Sequence, residues 1–197
     1  MITIELVETK AQKMLVKNII ENHHSYVASN SSVGRRIDWL IYHSDIESFG
    51  IPQPIGMIGV GSSVYPCPKA ILEYLGKKSD EYKEPEHFNT IANNWRFCLT
   101  KSIKNAGTQI LKKLREQAPI EWKNKYGDDL NHIITFVAGG NNGAVYKADN
   151  WKEIGKTAGL AKERKSFSVK WDSAEHLAKT FIPPTGENKK LIFIKKL

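Results

Sequence analysis

The sequence predicts one mixed α/β domain spanning residues 1–197, a central mixed sheet flanked by helices, on three observations. Its 197 residues, 41% hydrophobic and 25% charged, are enough for one substantial core and too few for two comfortable ones. Stretches of helical spacing alternate with short β-rich runs, with no internal repeat or low-complexity segment. In the second half the order is strand, loop, helix, strand, helix, which implies crossover connections and a parallel or mixed sheet.

Taken in order, Thr9 to Gln12 has capping-box form, and Ala11, Met14, Leu15, Ile19 and Ile20 follow at helical spacing up to Glu21. Ile37 to Tyr42 and Gly56 to Val60 read as an antiparallel strand pair joined by a proline-rich turn around Pro52 and Pro54. Pro68 opens a short helix through Ile71, Leu72 and Leu75 that Gly76 ends, and the charged run Lys77 to Glu86 reads as a mobile surface loop. Asn94 to Leu99 is a strand, Lys101 to Asn105 a polar bend, and Ala106, Ile110, Leu111, Leu114 and Ala118 the buried stripe of a helix ending at Pro119. The apolar run Ile133 to Val137 suits a strand covered on both faces, and a glycine-rich turn then feeds a short helix reaching about Asn150. A last helix is expected from Asp172 to Phe181, and Leu191 to Ile194, set between lysine pairs, reads as an edge strand.

The net charge is +8 and the pI near 9.3, which favours a polyanionic partner. Residues 151–197 hold 11 lysines and arginines against 5 acids, so this basic C-terminal segment is the expected electrostatic footprint. No run approaches the ~18 apolar residues of a membrane span, and the first twenty residues carry Glu5, Glu8 and several lysines in place of a signal-type apolar run. A cytoplasmic protein with no membrane partner is therefore expected. Cys67 and Cys98 are far apart and lack metal-type spacing, which fits a reducing compartment and gives them no assigned role.

Three constellations bear on chemistry. The loop from Lys101 to Thr108 lies between a strand and a helix, where backbone N–H groups of Asn105, Ala106 and Gly107 and the charges of Lys101 and Lys104 suit a phosphate. It lacks the glycine spacing of a P-loop or dinucleotide fingerprint, so an ordinary helix start is the competing reading. His24 and Tyr26 would supply a base near neutral pH and a weak acid within reach of one substrate; His23 and His24 also raise a metal ion, although no third ligand stands at a diagnostic spacing. Tyr146 and Trp151 are five residues apart and cannot share a helical face, so one should be core and the other should turn toward Lys156 and Thr157.

His24 and Tyr26, Val33-Gly34-Arg35, the strand Asn93-Asn94-Trp95-Arg96-Phe97, Tyr126-Gly127 and above all the block from Gly143 to Gly159 resemble two related groups. These are the Mom DNA-modification proteins of Mu-like phages and the protein A family of Druantia anti-phage systems, the resemblance covering roughly residues 10–160. Both groups look like diverged members of the GNAT acyltransferase fold, whose strand-loop-helix unit cradles the donor pyrophosphate; that implies a donor site at Lys101, Lys104, Asn105, Ala106 and Gly107. The implied reaction is transfer of a carbamoylmethyl or similar acyl-type group from an acetyl-CoA-like or aminoacyl donor to the exocyclic N6 amine of adenine in DNA, protecting it from restriction. Carried over by residue, the pattern gives His24 as proton acceptor and Tyr26 and Tyr146 as hydrogen-bonding or relay groups. A flipped or single-stranded adenine would be required, with Arg35 and Arg36 as phosphate clamps, Trp39 or Trp151 filling the vacated stack, and Lys156, Arg164 and Lys165 on the DNA-facing surface.

Two departures from the pattern stand out. Relatives place an aspartate after the strand that precedes the Tyr146 helix, where this chain has Val137 and Ala138, so its work would pass to Asp149, Asp38 or a histidine. The tyrosine that protonates the leaving thiolate in ordinary GNAT enzymes would fall at Trp151, which argues against routine acetyl-CoA chemistry. An acetyl-CoA-dependent N-acetyltransferase of an amine metabolite or protein, and a nucleic-acid-binding defence component without catalysis, are the alternative expectations.

Overall fold

The computed structural model describes residues 1–23, 34–138, 141–158 and 189–197. His24, Tyr26, Arg164, Lys165 and the helix expected from Asp172 lie outside these residues.

A strand absent from the expectation, β1 (Ile2–Leu6), opens the chain and buries Ile2 and Ile4 in alternation. Helix α1 (Lys10–His23) starts at the foreseen capping box: the Gln12 N–H donates to Thr9 Oγ1 at 3.2 Å, and the Thr9 N–H to Gln12 Oε1 at 2.9 Å. It buries Val16, Ile19 and Ile20, an i, i+3, i+4 stripe, while Met14, two residues and so about 200° round from Val16, is exposed.

Strands β2 (Arg36–Ser48) and β3 (Ile51–Ser62) form the expected antiparallel pair. Their turn is Phe49–Gly50, both residues left-handed, and not the prolines. Pro52 and Pro54 stand within β3, beyond its last pair with the next strand at Gly56, where no third strand requires their missing N–H groups.

Helix α2 (Lys69–Leu75) ends on Gly76 as foreseen. The charged run after it folds into α3 (Ser79–Lys83) and α4 (Pro85–Phe88). The reason is Tyr82, which is fully buried, meets Phe88 edge-on at 5.8 Å and hydrogen-bonds Ser63.

Strand β4 (Ile91–Leu99) leads into α5 (Ala106–Tyr126), which runs through Pro119. The interior proline costs about 3 kcal/mol. Burial of Trp122, whose indole N–H donates to Asn89 O at 2.8 Å, contributes a term of the same order and carries the helix on.

After β5 (His132–Val137) and α6 (Ala144–Ala148), Asn150 takes a left-handed φ of 57° and stops the helix. The chain then forms β6 (Lys152–Lys156), another strand not foreseen, and later β7 (Leu191–Lys196).

The sheet order is β1-β2-β3-β4-β5-β7-β6, antiparallel except for β4 and β5. β7 is thus an inner strand between β5 and β6, contrary to the edge position read from its lysines. Ile192, Phe193 and Ile194 are all buried, as strands covered on both faces require. One face packs Trp39, Ile58, Ile110, Leu114, Trp122 and Phe193 under α5; the other packs Val16, Ile20, Leu40, Met57 and Trp95 under α1.

Candidate active site where two parallel strands part

β4 and β5 pair only across Ile91–His132, Ala92–Ile133 and Asn93–Ile134. Beyond that point β4 bulges: Gly59 of β3 faces Arg96 and Val60 faces Asn94, leaving Trp95 as the extra residue. Past Asn93, β4 has no further register pair with β5 among the described residues, and β5 is held by β7 on its other side. Because the two strands run in parallel, the helices that follow both begin at this opening.

Helix α5 begins there after Asn105, whose φ of 60° turns the chain into the first helical residue, Ala106. Lys101 and Lys104 are exposed and take part in no ion pair among the described residues. At Gly107 a side chain would overlap Val145 Cγ2, so glycine lets the first turns of α5 and α6 close on each other. The five residues expected at a donor site therefore share one loop and helix start at the strand opening, where first-turn amides and a helix dipole favour an anion.

Tyr146, on α6, is 7% exposed, its ring stacked on Phe193 at 5.7 Å and edge-on to Trp151 at 5.1 Å. Its hydroxyl lies 2.9 Å from Asn94 Oδ1 at the bulge. Asn94 Nδ2 donates to Gly59 O at 2.8 Å and Arg96 O at 3.0 Å, two acceptors that fix the amide's orientation. Thr135 Oγ1 stands 3.4 Å from Asn94 O and 3.5 Å from Tyr146 Oη, joining β5 to the group. Asn94 and Thr135 were not singled out by the sequence; only the quoted Asn93-Asn94 pair hinted at the first.

The residues expected to grip nucleic acid are placed otherwise. Trp39 is fully enclosed and Trp151 is 4% exposed, so neither presents a ring face to a base. The Trp151 indole N–H donates to Asp149 Oδ2 at 2.9 Å, and Tyr146 and Trp151 are buried together in one core, contrary to the expectation that only one of the pair would be. Arg35 pairs with Asp128 at 2.5 Å and lies over the Tyr126 ring; Arg36 pairs with Asp38 at 2.6 Å and lies over Trp95. Both guanidinium groups thus brace the fold where phosphate clamps were expected. Lys156 is exposed on the edge strand β6, at the other side of β7 from β5.

Of the carboxylates that could replace the missing aspartate, Asp149 is committed: Arg115 grips it through Nε at 3.0 Å and Nη2 at 2.7 Å, and Trp151 takes a further bond. Asp38 is buried, and burial raises its carboxyl above the usual range against the opposing pull of Arg36 and the Trp95 N–H. It lines a cavity of about 600 Å³ with Leu6, Val7, Lys13, Glu121 and Lys125, by the C-terminal half of α5 and so away from the strand opening. Among the described residues no cluster of histidine, cysteine, aspartate and glutamate is arranged to hold a metal ion, and no helix is long and apolar enough to cross a membrane.

No protein-family model and no curated protein sequence matches the chain, so the likeness to the Mom and Druantia groups rests on the motifs alone. Solved structures do match. NAA60 of Arabidopsis thaliana in complex with acetyl-CoA superposes with a TM-score of 0.59 at 12% identity, covering 100% of this chain and 99% of that one. The spermidine N-acetyltransferase of Vibrio cholerae in complex with CoA and spermine gives 0.55 at 10% identity, with 99% and 95% coverage. An aminoglycoside acetyltransferase in complex with coenzyme A gives 0.53 at 10% identity, with 100% and 95% coverage. With a seven-stranded sheet that opens between its two parallel strands, the chain has the fold of the GNAT acetyltransferases.

Proposed function

We propose that this protein transfers an acyl group from a coenzyme A thioester to an amine. The observation that carries the reading is the opening between β4 and β5 beyond Asn93, with the first turn of α5 and the Tyr146–Asn94 pair both at it. The solved neighbours that hold acetyl-CoA or CoA support it by likeness of fold.

In this reading the donor's phosphates lie against the first turn of α5 at Gly107, the Ala106 N–H being held by Ile103 O at 3.2 Å, with Lys101 and Lys104 adding charge. The exposed lysines fit such a group. The thioester supplies an activated acyl carbonyl, and the β4 backbone beyond its last pair with β5 is placed to polarise it. The amine nitrogen attacks that carbonyl; the C–N bond forms, the C–S bond breaks, and the proton lost by nitrogen balances the departing thiolate. Tyr146 orients the amine. Its own proton is committed to Asn94, so its oxygen meets a ligand as an acceptor of an N–H bond. The test is calorimetric titration with CoA, followed by mass spectrometry of a panel of polyamines, peptides and oligonucleotides incubated with acetyl-CoA. Absence of CoA binding would sink the reading.

Transfer to adenine in DNA is a second reading, favoured by the net charge of +8 and by the motif block from Gly143 to Gly159. An altered nucleoside in DNA from expressing cells, with no acetylated amine or peptide, would select it over the first.

A further inference from the structure

The β2–β3 hairpin outgrows its sheet. β1 stops pairing at His43 and β4 at Gly56, so the residues between them continue as a two-stranded arm. The arm leaves the sheet at the end where β4 feeds the donor loop: the Thr100 N–H donates to Ile55 O at 2.8 Å.

Three features of the tip are unusual for a plain turn. Phe49 takes a left-handed φ of 53°, a conformation that disfavours bulky side chains, at a turn position where asparagine or aspartate is the ordinary choice. Its ring is fully exposed, and Ile51 beside it is 63% exposed, so a costly backbone holds an apolar pair out in water. The charge is also distinct. From Ile37 to Pro68 the chain carries Asp38, Asp45 and Glu47 and neither lysine nor arginine, in a protein of net charge +8. Asp45 and Glu47 are exposed on the arm, and the Ser44 hydroxyl holds the Asp45 carboxyl below its ordinary range. The His43 ring, 3.8 Å from Asp45, sits at its base.

We infer that this arm docks a basic polypeptide segment with apolar side chains, seating its cations on Asp45 and Glu47 and its apolar residues on Phe49 and Ile51. A polyanion would be repelled by the same carboxylates, and a small amine would have no use for the apolar tip. The inference deepens the reading above by making that segment the acyl acceptor, and it rests on that reading for the acceptor role alone.

Phe49→Asn separates docking from folding, because asparagine suits the left-handed turn better than phenylalanine does. The probe is a labelled synthetic peptide alternating lysine and leucine, followed by fluorescence anisotropy with the full chain and no donor present. Phe49→Asn should weaken binding about tenfold, while the melting temperature holds or rises by ~1–3 °C. Asp45→Asn with Glu47→Gln should weaken it too and flatten its dependence on salt. Equal affinity for all three proteins overturns the inference. So does a lower melting temperature for Phe49→Asn with binding intact, or a dimer in sedimentation that Phe49→Asn dissolves. Arm-dependent binding of a peptide that is never acylated in the presence of acetyl-CoA overturns the acceptor role and leaves the docking arm standing, whereas absence of CoA binding overturns the transferase reading alone.

Discussion

Tyr146 donates its only hydroxyl proton to Asn94 Oδ1 at 2.9 Å, and the direction is forced. Asn94 Nδ2 faces two carbonyl oxygens, so the oxygen of its amide must be the atom turned to Tyr146. Tyr146→Phe keeps the ring between Phe193 and Trp151 but leaves that buried oxygen unsatisfied, at a cost of about 1–3 kcal/mol. If the phenol also orients the acceptor, kcat falls by about 100-fold. Single-turnover rates measured beside thermal denaturation check both, and a rate within a few-fold of wild type would make Tyr146 a purely structural residue.

Lys101→Ala with Lys104→Ala removes two exposed cations that pair with nothing described, so stability should hold. The donor KM should rise several-fold, and the rise should shrink at high salt because exposed charges are screened over about 8–10 Å. Donor saturation curves at two ionic strengths decide it; an unchanged KM removes these lysines from the donor site.

Gly107→Ala forces a methyl into Val145 and should destabilise by roughly 1–3 kcal/mol. Val145→Ala vacates the space, so the double variant should recover most of the loss, a coupling that a denaturant-based double-mutant cycle measures directly. Additive losses would mean that the two helix starts do not touch as described.

Burial pushes the Cys67 thiol up to about 11 from 9.0. At pH 8 the folded protein should then hold roughly one part in a thousand as thiolate, and alkylation should be slow until the chain unfolds. The unfolded thiol ionises first as pH rises, so between about pH 9 and 11 this group's contribution to stability is lost. Mass-resolved alkylation against pH tests the first statement; rapid labelling of the folded protein at pH 8 would contradict it.

Local signals made much of the fold legible. The Thr9–Gln12 box announced α1, the apolar stripe from Ala106 announced α5, and the covered run at Ile133 announced β5. What escaped depended on distant partners. β1 turns Ile2, Ile4 and Leu6 inward, an alternation only five residues long, and exists because β2 offers it an edge. Pro119 stops a helix in isolation, but Trp122 has a core to reach. At the site, the donor loop was readable from its place between strand and helix. The misplaced cations were not: Arg35 and Arg36 look free in a list of residues, and Asp128 and Asp38 claim them only once the chain is folded. Asn94 likewise acquires its task from a bulge that no single sequence displays.

The place of β7 between β5 and β6 has a kinetic consequence. β6 and β7 are joined by a sequence stretch from Thr157 to Lys190, yet β7 must enter between β5 and β6, and Phe193 brings the ring on which Tyr146 rests. Pairing strands so far apart in sequence is slow compared with zipping the β2–β3 hairpin. The half of the sheet that carries Tyr146 should therefore assemble last and open first. In native-state hydrogen exchange, the amides of β6 and β7 would lose protection together, ahead of those in β2 and β3, and each such opening would take the candidate site apart while the rest of the fold persists.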